Sequence, residues 1–341
     1  MNIKKFFTSY LNNNYTYIIA EACDNHFGDI SKAKKMVTLA KNAGADCIKF
    51  QHHLPDEEML PKVPKSSNFG LSLYQFLKKY SLKLDDHIKL KKFCKKVGIQ
   101  YLCTPFSYKA AFELNKFLKV DCFKIGSGEM TDIPSLLKIS KLGKPMILST
   151  GMSTKFEINR TYKLLSSKTK LSLMHCISEY PTYYKDLNLK FINDLKKKYK
   201  RIPIGYSDHT DDIYSSIAAV SCGARIIEKH VILNRNMKGP DQKVSIDFKQ
   251  LKQLVKGIRL MENSFGNVKK IHKNEKQIRK WATRSIVTIK SINKGSKLTL
   301  NNIWTKRPGT GIPSYKLNSL IGKIATTNLK KNQILRKSDF K

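Results

Sequence analysis

A regular alternation of short apolar runs with longer amphipathic stretches is the sequence feature that most constrains the fold. Amphipathic segments with helical spacing, such as Ser31–Ala43 and Asp85–Val97, separate the runs. Parallel strands need helical crossovers, so eight strand–helix units predict a closed (β/α)8 barrel, the TIM-barrel fold. The eight predicted strands are Tyr17–Ala22, Cys47–Gln51, Gln100–Cys103, Cys122–Ile125, Pro145–Ser149, Leu171–Cys176, Pro203–Tyr206 and Ile226–His230.

The pattern changes after residue 265. Residues 266–281 are polar and charged and predict a helical linker, and from Ala282 short β-like runs alternate with tight turns. The sequence therefore predicts a barrel over residues 1–265 and a small β-rich domain over residues 282–341. An open doubly wound sheet is the alternative for the first part, but no Gly-x-Gly-x-x-Gly motif follows its first strand.

Composition limits the classes of function. No apolar run reaches the roughly 20 residues of a membrane helix, and the first residues lack the apolar core of a signal peptide. Seven scattered cysteines without a Cys-x-x-Cys pair indicate reduced thiols, so we expect a cytoplasmic protein.

The net charge of +38 raises the alternative of nucleic-acid binding. Only 9 of the 64 basic residues are arginine, however, and the lysines are spread along the whole chain. Recognition of phosphate backbones and base edges typically uses arginine and interleaved aromatic residues. A solvated lysine surface is therefore the favoured interpretation, and we expect neither a specific nucleic-acid partner nor a membrane.

Two lysines near predicted strand ends are candidates for anion binding. Lys49 and Lys124 alternate with apolar neighbours, so each points to the opposite face of its strand. If that face is the barrel interior, an unpaired ammonium there is costly, and an anionic ligand offsets the cost. The alternative is that each lysine pairs with a barrel carboxylate such as Glu21, Glu129 or Glu228.

Two histidines follow the seventh and eighth strands. His209 comes directly after strand seven and His230 closes strand eight, with Glu228 on the same face as His230 and Lys229 on the other. Adjacent strand ends can place both imidazoles on one divalent ion with positions left for substrate oxygens. A structural role is the alternative for each histidine.

Hydroxyl side chains follow other strands at the same end of the predicted barrel. Ser127, Ser149 and Ser207, with backbone amides near glycines 126, 128 and 151, can hold a phosphate through neutral hydrogen bonds. Serine and glycine are also common turn residues. Together with the two lysines they outline a site for a small phosphorylated acid.

Eight segments, in order, closely resemble the sialic acid synthase family. They are IIAEACDNHFGD, IKFQ, YLCTPF, FKIGSGEMTDIP, ILSTGMST, MHCISEYP, GYSDHT and IIEKH…GPD. The C-terminal stretch resembles the antifreeze-like (SAF) domain that follows the barrel in that family. The resemblance covers roughly residues 17–340. It implies a carbon–carbon bond-forming transferase that condenses phosphoenolpyruvate with an N-acylated mannosamine-type sugar, giving a nonulosonic acid and phosphate.

The resemblance also implies roles for individual residues. His209 and His230 match ligands of a divalent metal, usually manganese, with magnesium and cobalt as alternatives. Arg307 matches an arginine that reaches the sugar site of a partner subunit, which implies a domain-swapped homodimer. The other matches are the catalytic residues Glu21, Glu129 and His230, the phosphoenolpyruvate contacts Lys49, Thr104, Lys124, Ser127, Ser149 and Ser207, and the sugar contacts Asn68, Tyr180 and Asp241.

The acceptor sugar is the point on which the sequence signals disagree. N-acetylneuraminate synthase is the first prediction, and Asn68 resembles that branch of the family. Ser178, where bacterial members of that branch often have asparagine, instead resembles relatives that use a 2,4-diacetamido-2,4,6-trideoxy sugar, as in a legionaminate-type synthase. A lysine-dependent aldolase, with Lys124 or Lys49 forming a Schiff base, is the alternative from another class.

Overall fold

The structure is a computed structural model that describes residues 1–62, 71–237, 239 and 241–341. The chain divides into two compact units, residues 1–266 and residues 267–341. Each unit has its own hydrophobic core. Among the described residues, no helix is both long and apolar enough to cross a membrane.

The first unit is a parallel barrel, which confirms the predicted fold class. Within the described residues its eight strands follow one another around the barrel in chain order, and β8 pairs with β1. At the seam β3 lies beside β4. The strands are β1 (Tyr17–Glu21), β2 (Cys47–His52), β3 (Gln100–Pro105), β4 (Phe123–Ile125), β5 (Met146–Ser149), β6 (Leu171–Cys176), β7 (Ile204–Asp208) and β8 (Ile226–His230).

Helices surround the barrel and connect its strands. The sequence pattern predicts most of them but neither α1, before the first strand, nor α3 and α4 in the long connection after β2. The helices of the first unit are α1 (Ile3–Ser9), α2 (Ile30–Ala43), α3 (Pro55–Glu58), α4 (Leu73–Tyr80), α5 (Leu84–Val97), α6 (Tyr108–Glu113), α7 (Ile133–Ser140), α8 (Lys155–Leu165), α9 (Phe191–Lys198), α10 (Tyr214–Ser221) and α11 (Phe248–Ser264).

Local signals fix where the first crossover helix begins and ends. Asp29 caps α2 by accepting hydrogen bonds from the backbone amides of Ser31 and Lys32. Gly44 follows the helix with a φ of 88°, a left-handed conformation that favours glycine. Apolar side chains of α2 pack on the outward face of the barrel, so the next strand starts beside β1.

Side chains along each strand point alternately to the outer face and to the interior of the barrel. The outer face is apolar, and the interior has an apolar half and a polar half. Outward residues such as Ile18 and Ile48 pack under the helices. In the amino-terminal half of the interior, Phe6 of α1 contacts the Tyr17 ring, with 5.4 Å between ring centres. The cluster there comprises Ile3, Phe6, Phe7, Tyr17, Ile19, Cys47, Leu102, Cys122, Ile147, Met174 and Ile226. The carboxyl-terminal half of the interior is polar.

The second unit begins with α12 (Lys273–Ala282), and an antiparallel pair of strands follows, β9 (Ser285–Thr288) and β10 (Ile303–Lys306). The small β-rich domain predicted after the barrel is therefore confirmed. Its core is formed by Ile286, Ile292, Leu298, Ile303, Leu320, Ala325, Leu329 and Leu335.

We predict that α1 contributes to barrel stability by filling its amino-terminal end. Phe6 is fully buried, so Phe6→Ala should lower the free energy of unfolding by about 3 kcal/mol through lost burial and a residual cavity. Chemical denaturation followed by circular dichroism measures this. Phe156→Ala, at a residue 73% exposed, is the control and should change stability by less than about 0.5 kcal/mol. Equal effects of the two substitutions would contradict the packing role of α1.

Candidate active site

The carboxyl-terminal ends of the strands surround a cavity of about 710 Å³. Of the candidate residues, Asn68 lies outside the described residues. Arg307 belongs to the second unit, where its Nε donates to the Ala282 carbonyl at 3.0 Å. The role of Arg307 stays a prediction. Twelve sequence candidates line the cavity: Glu21, Lys49, Thr104, Lys124, Ser127, Glu129, Ser149, Tyr180, Ser207, His209, His230 and Asp241.

Lys49 projects from β2 into the barrel interior and is only 3% exposed. Its Nζ lies 2.9 Å from Glu21 Oε2 and 3.6 Å from Glu228 Oε1. It also donates a hydrogen bond to the Thr104 hydroxyl at 2.9 Å. Lys49 is therefore paired with carboxylates, as in the alternative raised by the sequence.

Lys124 of β4 approaches the same carboxylate from the opposite side of the barrel. Its Nζ lies 3.4 Å from Glu228 Oε1 and donates to Ser149 Oγ at 2.7 Å. Ser207 donates to Glu228 Oε1 as well, at 3.1 Å. Glu228 is thus the common partner of two buried ammonium groups and a hydroxyl.

Burial and pairing set the charges on this floor. Burial acts to lower the pKa of Lys49, but the carboxylates of Glu21 and Glu228 raise it, so Lys49 is a cation. Burial raises the pKa of Glu21 to about 7. At Glu228 the effect of burial is outweighed by Lys124 and Lys49, which hold its pKa below the usual range. Burial lowers the pKa of Lys124, and the nearby Glu228 carboxylate acts against this. Near neutral pH, Lys49 and Lys124 face one full carboxylate and one partly protonated one, and an anion bound there would favour the charged form of Lys124.

Glu129 lies in the turn after β4 and folds back against Gly126. A Cβ at position 126 would overlap the Glu129 carboxylate, so a residue larger than glycine would require this carboxylate to move. Burial raises the pKa of Glu129 to about 7, which leaves it able to give or take a proton near neutral pH.

His209 and His230 lie next to each other, with ring centres 5.3 Å apart. His209 Nδ1 is 2.7 Å from the Ile177 carbonyl oxygen, so this nitrogen carries the proton. His209 Nε2 then has its lone pair toward the Tyr180 hydroxyl, 3.1 Å away. His230 Nδ1 is buried and has no hydrogen-bond partner among the described residues. Within the described part of the chain, one group of potential metal ligands with atoms within 4.8 Å of one another comprises Cys23, His230 and Asp241. The binding of one divalent ion by His209 and His230 together stays a prediction.

Comparison with known proteins matches the two parts of the chain to two different families. Residues 36–270 match the NeuB family and residues 283–341 match the SAF domain. The N,N'-diacetyllegionaminic acid synthase of Campylobacter jejuni is 39% identical over 332 residues, 94% of this chain and 99% of that protein. The human N-acetylneuraminate-9-phosphate synthase is 32% identical over 315 residues, 90% of this chain and 88% of that protein.

A solved structure has the same architecture. The N-acetylneuraminic acid synthetase of Leptospira borgpetersenii, crystallised with citrate, superimposes with a TM-score of 0.70 at 32% identity, over 78% of this chain and 90% of that one. The chain belongs to the NeuB family.

Sequence reasoning missed several cavity residues of this NeuB-family chain. Gln51 and Cys176 occupy inward positions near strand ends, so the alternation of β2 and β6 could have found them. Cys23 and His53 lie in irregular connections, where no period applies, and Glu58 ends the four-residue helix α3, which is too short to show a helical pattern. His53 Nδ1 is 2.9 Å from Glu58 Oε2, and its Nε2 is 2.9 Å from Gln51 Oε1.

We predict that Glu129 lowers the stability of the folded chain at neutral and higher pH. Its folded pKa of about 7 exceeds the ordinary 4.5, so stability falls as pH rises between these values. Glu129→Gln should therefore raise the free energy of unfolding by on the order of 2 kcal/mol at pH values above 7. Near pH 4 the Glu129 carboxyl group is mostly protonated in both the folded and the unfolded state. There the substitution should change the free energy of unfolding little.

Denaturant unfolding at the two pH values measures the effect, and Glu57→Gln, at an exposed carboxylate, is the control. A gain of the same size at both pH values would mean that the Glu129 carboxylate is not destabilised by burial.

Proposed function

We propose that this NeuB-family chain condenses phosphoenolpyruvate with an N-acylated amino sugar to form a nonulosonic acid and phosphate. The observation that carries the proposal is the arrangement of one cavity. Its floor holds Lys49 and Lys124 around Glu228, and its wall holds the two histidines.

Phosphoenolpyruvate carries a phosphate and a carboxylate, and both match the cavity floor. The two ammonium groups offer charge-assisted hydrogen bonds, and the hydroxyls of Ser127, Ser149 and Ser207 offer neutral ones. Gly151 permits the close approach of Ser127, since a Cβ there would lie 2.7 Å from the Ser127 hydroxyl. The ligand's charges would replace part of the lysine–carboxylate pairing.

His209 and His230 would hold a divalent ion in this proposal, and the resemblance points to manganese. When bound, it supplies Lewis-acid polarisation of the open-chain sugar aldehyde. The protein's part is to present the lone pair of His209 Nε2, fixed by the bond of Nδ1 to the Ile177 carbonyl, and the unpartnered nitrogen of His230.

The reaction then uses the carboxylates around the floor. C3 of phosphoenolpyruvate forms a bond to the aldehyde carbon while the carbonyl double bond opens and its oxygen takes a proton from solvent. The positive charge that develops at C2 is stabilised by Glu21 and Glu129. Water adds to C2, and Glu129 accepts its proton, in keeping with a pKa of about 7. The bond between C2 and the bridging oxygen then breaks as the new C2 hydroxyl loses its proton, which releases phosphate and leaves the 2-keto acid.

For the acceptor we propose a 2,4-diacetamido-2,4,6-trideoxy sugar. Apolar side chains line part of the cavity wall and suit the methyl groups of such a sugar better than hydroxyls. The Campylobacter relative supports this choice, as does Ser178, which lines the cavity. N-acetylmannosamine is the second candidate, favoured by Asn68. Arg307 of a partner subunit completes the sugar site in this proposal, as in a homodimer. The apolar wall comprises Met59, Leu73, Phe76, Leu77, Phe106 and Met152.

A panel of acceptor sugars tests the choice. The purified protein, phosphoenolpyruvate and a divalent ion are incubated with each sugar, and products are identified by mass spectrometry and phosphate release. The diacetamido-trideoxy sugar should give the highest kcat/KM. Preference for N-acetylmannosamine would contradict the sugar assignment, and absence of any product across the panel would contradict the synthase proposal.

We predict that Lys124→Met raises the KM for phosphoenolpyruvate by about one to two orders of magnitude, because a charge-assisted contact is worth about 1.5–3 kcal/mol. Steady-state kinetics measures this, with Lys163→Met on the exposed face of α8 as the control. An unchanged KM would contradict the anion-site assignment. Covalent trapping of pyruvate on Lys124 by borohydride would favour the aldolase alternative.

A further inference from the structure

A cysteine lies beside the histidine and aspartate of the cavity. Cys23, His230 and Asp241 each bring one potential ligand atom within 4.8 Å of the others. The Cys23 thiol donates a hydrogen bond to Asp241 Oδ2, which lies 3.6 Å from His230 Nδ1. Strand pairing explains the meeting: Glu21 of β1 is in register with His230 of β8, so Cys23 lies just beyond that pair.

One ring nitrogen of the histidine in this group makes no hydrogen bond to the described residues. His230 is only 4% exposed, and its Nδ1 makes no hydrogen bond within the described part of the chain. A buried ring nitrogen without a partner is unfavourable, and a cation shared with the thiol and the carboxylate would satisfy it.

The backbone at Cys23 is also unusual. Its φ is 46°, in the left-handed region that favours glycine and is disfavoured for residues with a Cβ. A side chain is nevertheless present there, 5% exposed and lining the cavity. Glycine would fit the backbone more easily, so this position carries a thiol at a conformational cost.

We propose that Cys23 binds the divalent ion of the cavity as a thiolate, together with His230 and Asp241. The inference rests on the proposed function, since this ion is the one that the synthase would use. On binding, a sulfur–metal bond replaces the sulfur–hydrogen bond, and the proton passes to solvent. A thiolate favours Zn²⁺ or Co²⁺ over Mn²⁺, so the metal preference departs from the manganese expected by resemblance.

Titration of the metal-free full-length protein with Co²⁺ tests this directly. A thiolate ligand produces a near-ultraviolet sulfur-to-cobalt charge-transfer band, independent of turnover. We expect the band with about one equivalent of Co²⁺ bound, and its loss in Cys23→Ser and in Cys23→Gly. The glycine variant suits the left-handed backbone, so it covers the case in which the serine variant folds poorly.

Two other cysteines provide matched controls. Cys176 Sγ lies 3.8 Å from His209 Nδ1, so Cys176→Ser tests a second thiol in the same cavity. Cys222 is the one cysteine of the chain that is not fully buried, which makes Cys222→Ser a test of adventitious binding. The band should persist in both variants.

Competition between ions gives a second readout. Displacement of bound Co²⁺ by Zn²⁺ and by Mn²⁺ gives the ratio of the affinity for Zn²⁺ to the affinity for Mn²⁺. In the unsubstituted protein this ratio should favour Zn²⁺. In Cys23→Ser the ratio should fall by at least about tenfold, because the ion loses its sulfur ligand. Both histidines are present in the two proteins, so a change in the ratio is due to the loss of the thiol.

The outcomes separate this inference from the proposed function. Co²⁺ binding that needs His209 and His230 but shows no charge-transfer band would overturn the role of Cys23 and leave the synthase proposal standing. Retention of the band in both Cys23 variants, or its loss in Cys176→Ser alone, would also overturn it. Failure of Co²⁺, Zn²⁺ and Mn²⁺ to bind would remove the metal from both proposals.

Discussion

The pairing of two buried ammonium groups with Glu228 is the interaction on which the polar half of the barrel depends. Lys49 and Lys124 come from β2 and β4, which are separated by β3, and mutual repulsion would oppose burying both near Glu228. One carboxylate between them makes their burial tolerable and fixes where both ammonium groups lie. If the proposed phosphoenolpyruvate binds here, both ammonium groups are already held in place, and little reorganisation is needed on binding.

Stability and chemistry are divided between the two ends of the same strands. The amino-terminal half of the interior is apolar and filled by α1, where burial favours folding. The carboxyl-terminal half holds Glu21 and Glu129, whose raised pKa values show that their charged forms are disfavoured there. A barrel of this kind can hold an unfavourable polar site because the opposite end supplies the packing.

The sequence predicts the barrel and much of its site because both depend on simple periods. Period-two alternation assigns Lys49, Lys124 and His230 to one interior, and the order of the strands brings their ends together. The alternation does not identify which groups these side chains contact. Whether Lys49 contacts a ligand or Glu21 depends on the stagger of neighbouring strands. Connections follow no period, so His53 was not predicted, and no pattern places Arg307 relative to the barrel.

Cys23 shows how a connection can change the chemistry of a site whose framework the strands determine. The histidines are placed by β7 and β8, whereas the thiol is placed by the turn after β1, where the backbone adopts a left-handed conformation. Asp241 contacts both the thiol and His230, so it cannot serve the sugar and the ion independently. Because a metal ligand at Asp241 would alter the carboxylate offered to a sugar hydroxyl, the identity of residue 23 should affect acceptor binding as well as metal preference. Strand positions thus set where the reaction occurs, and the first connection adjusts the ion that assists it.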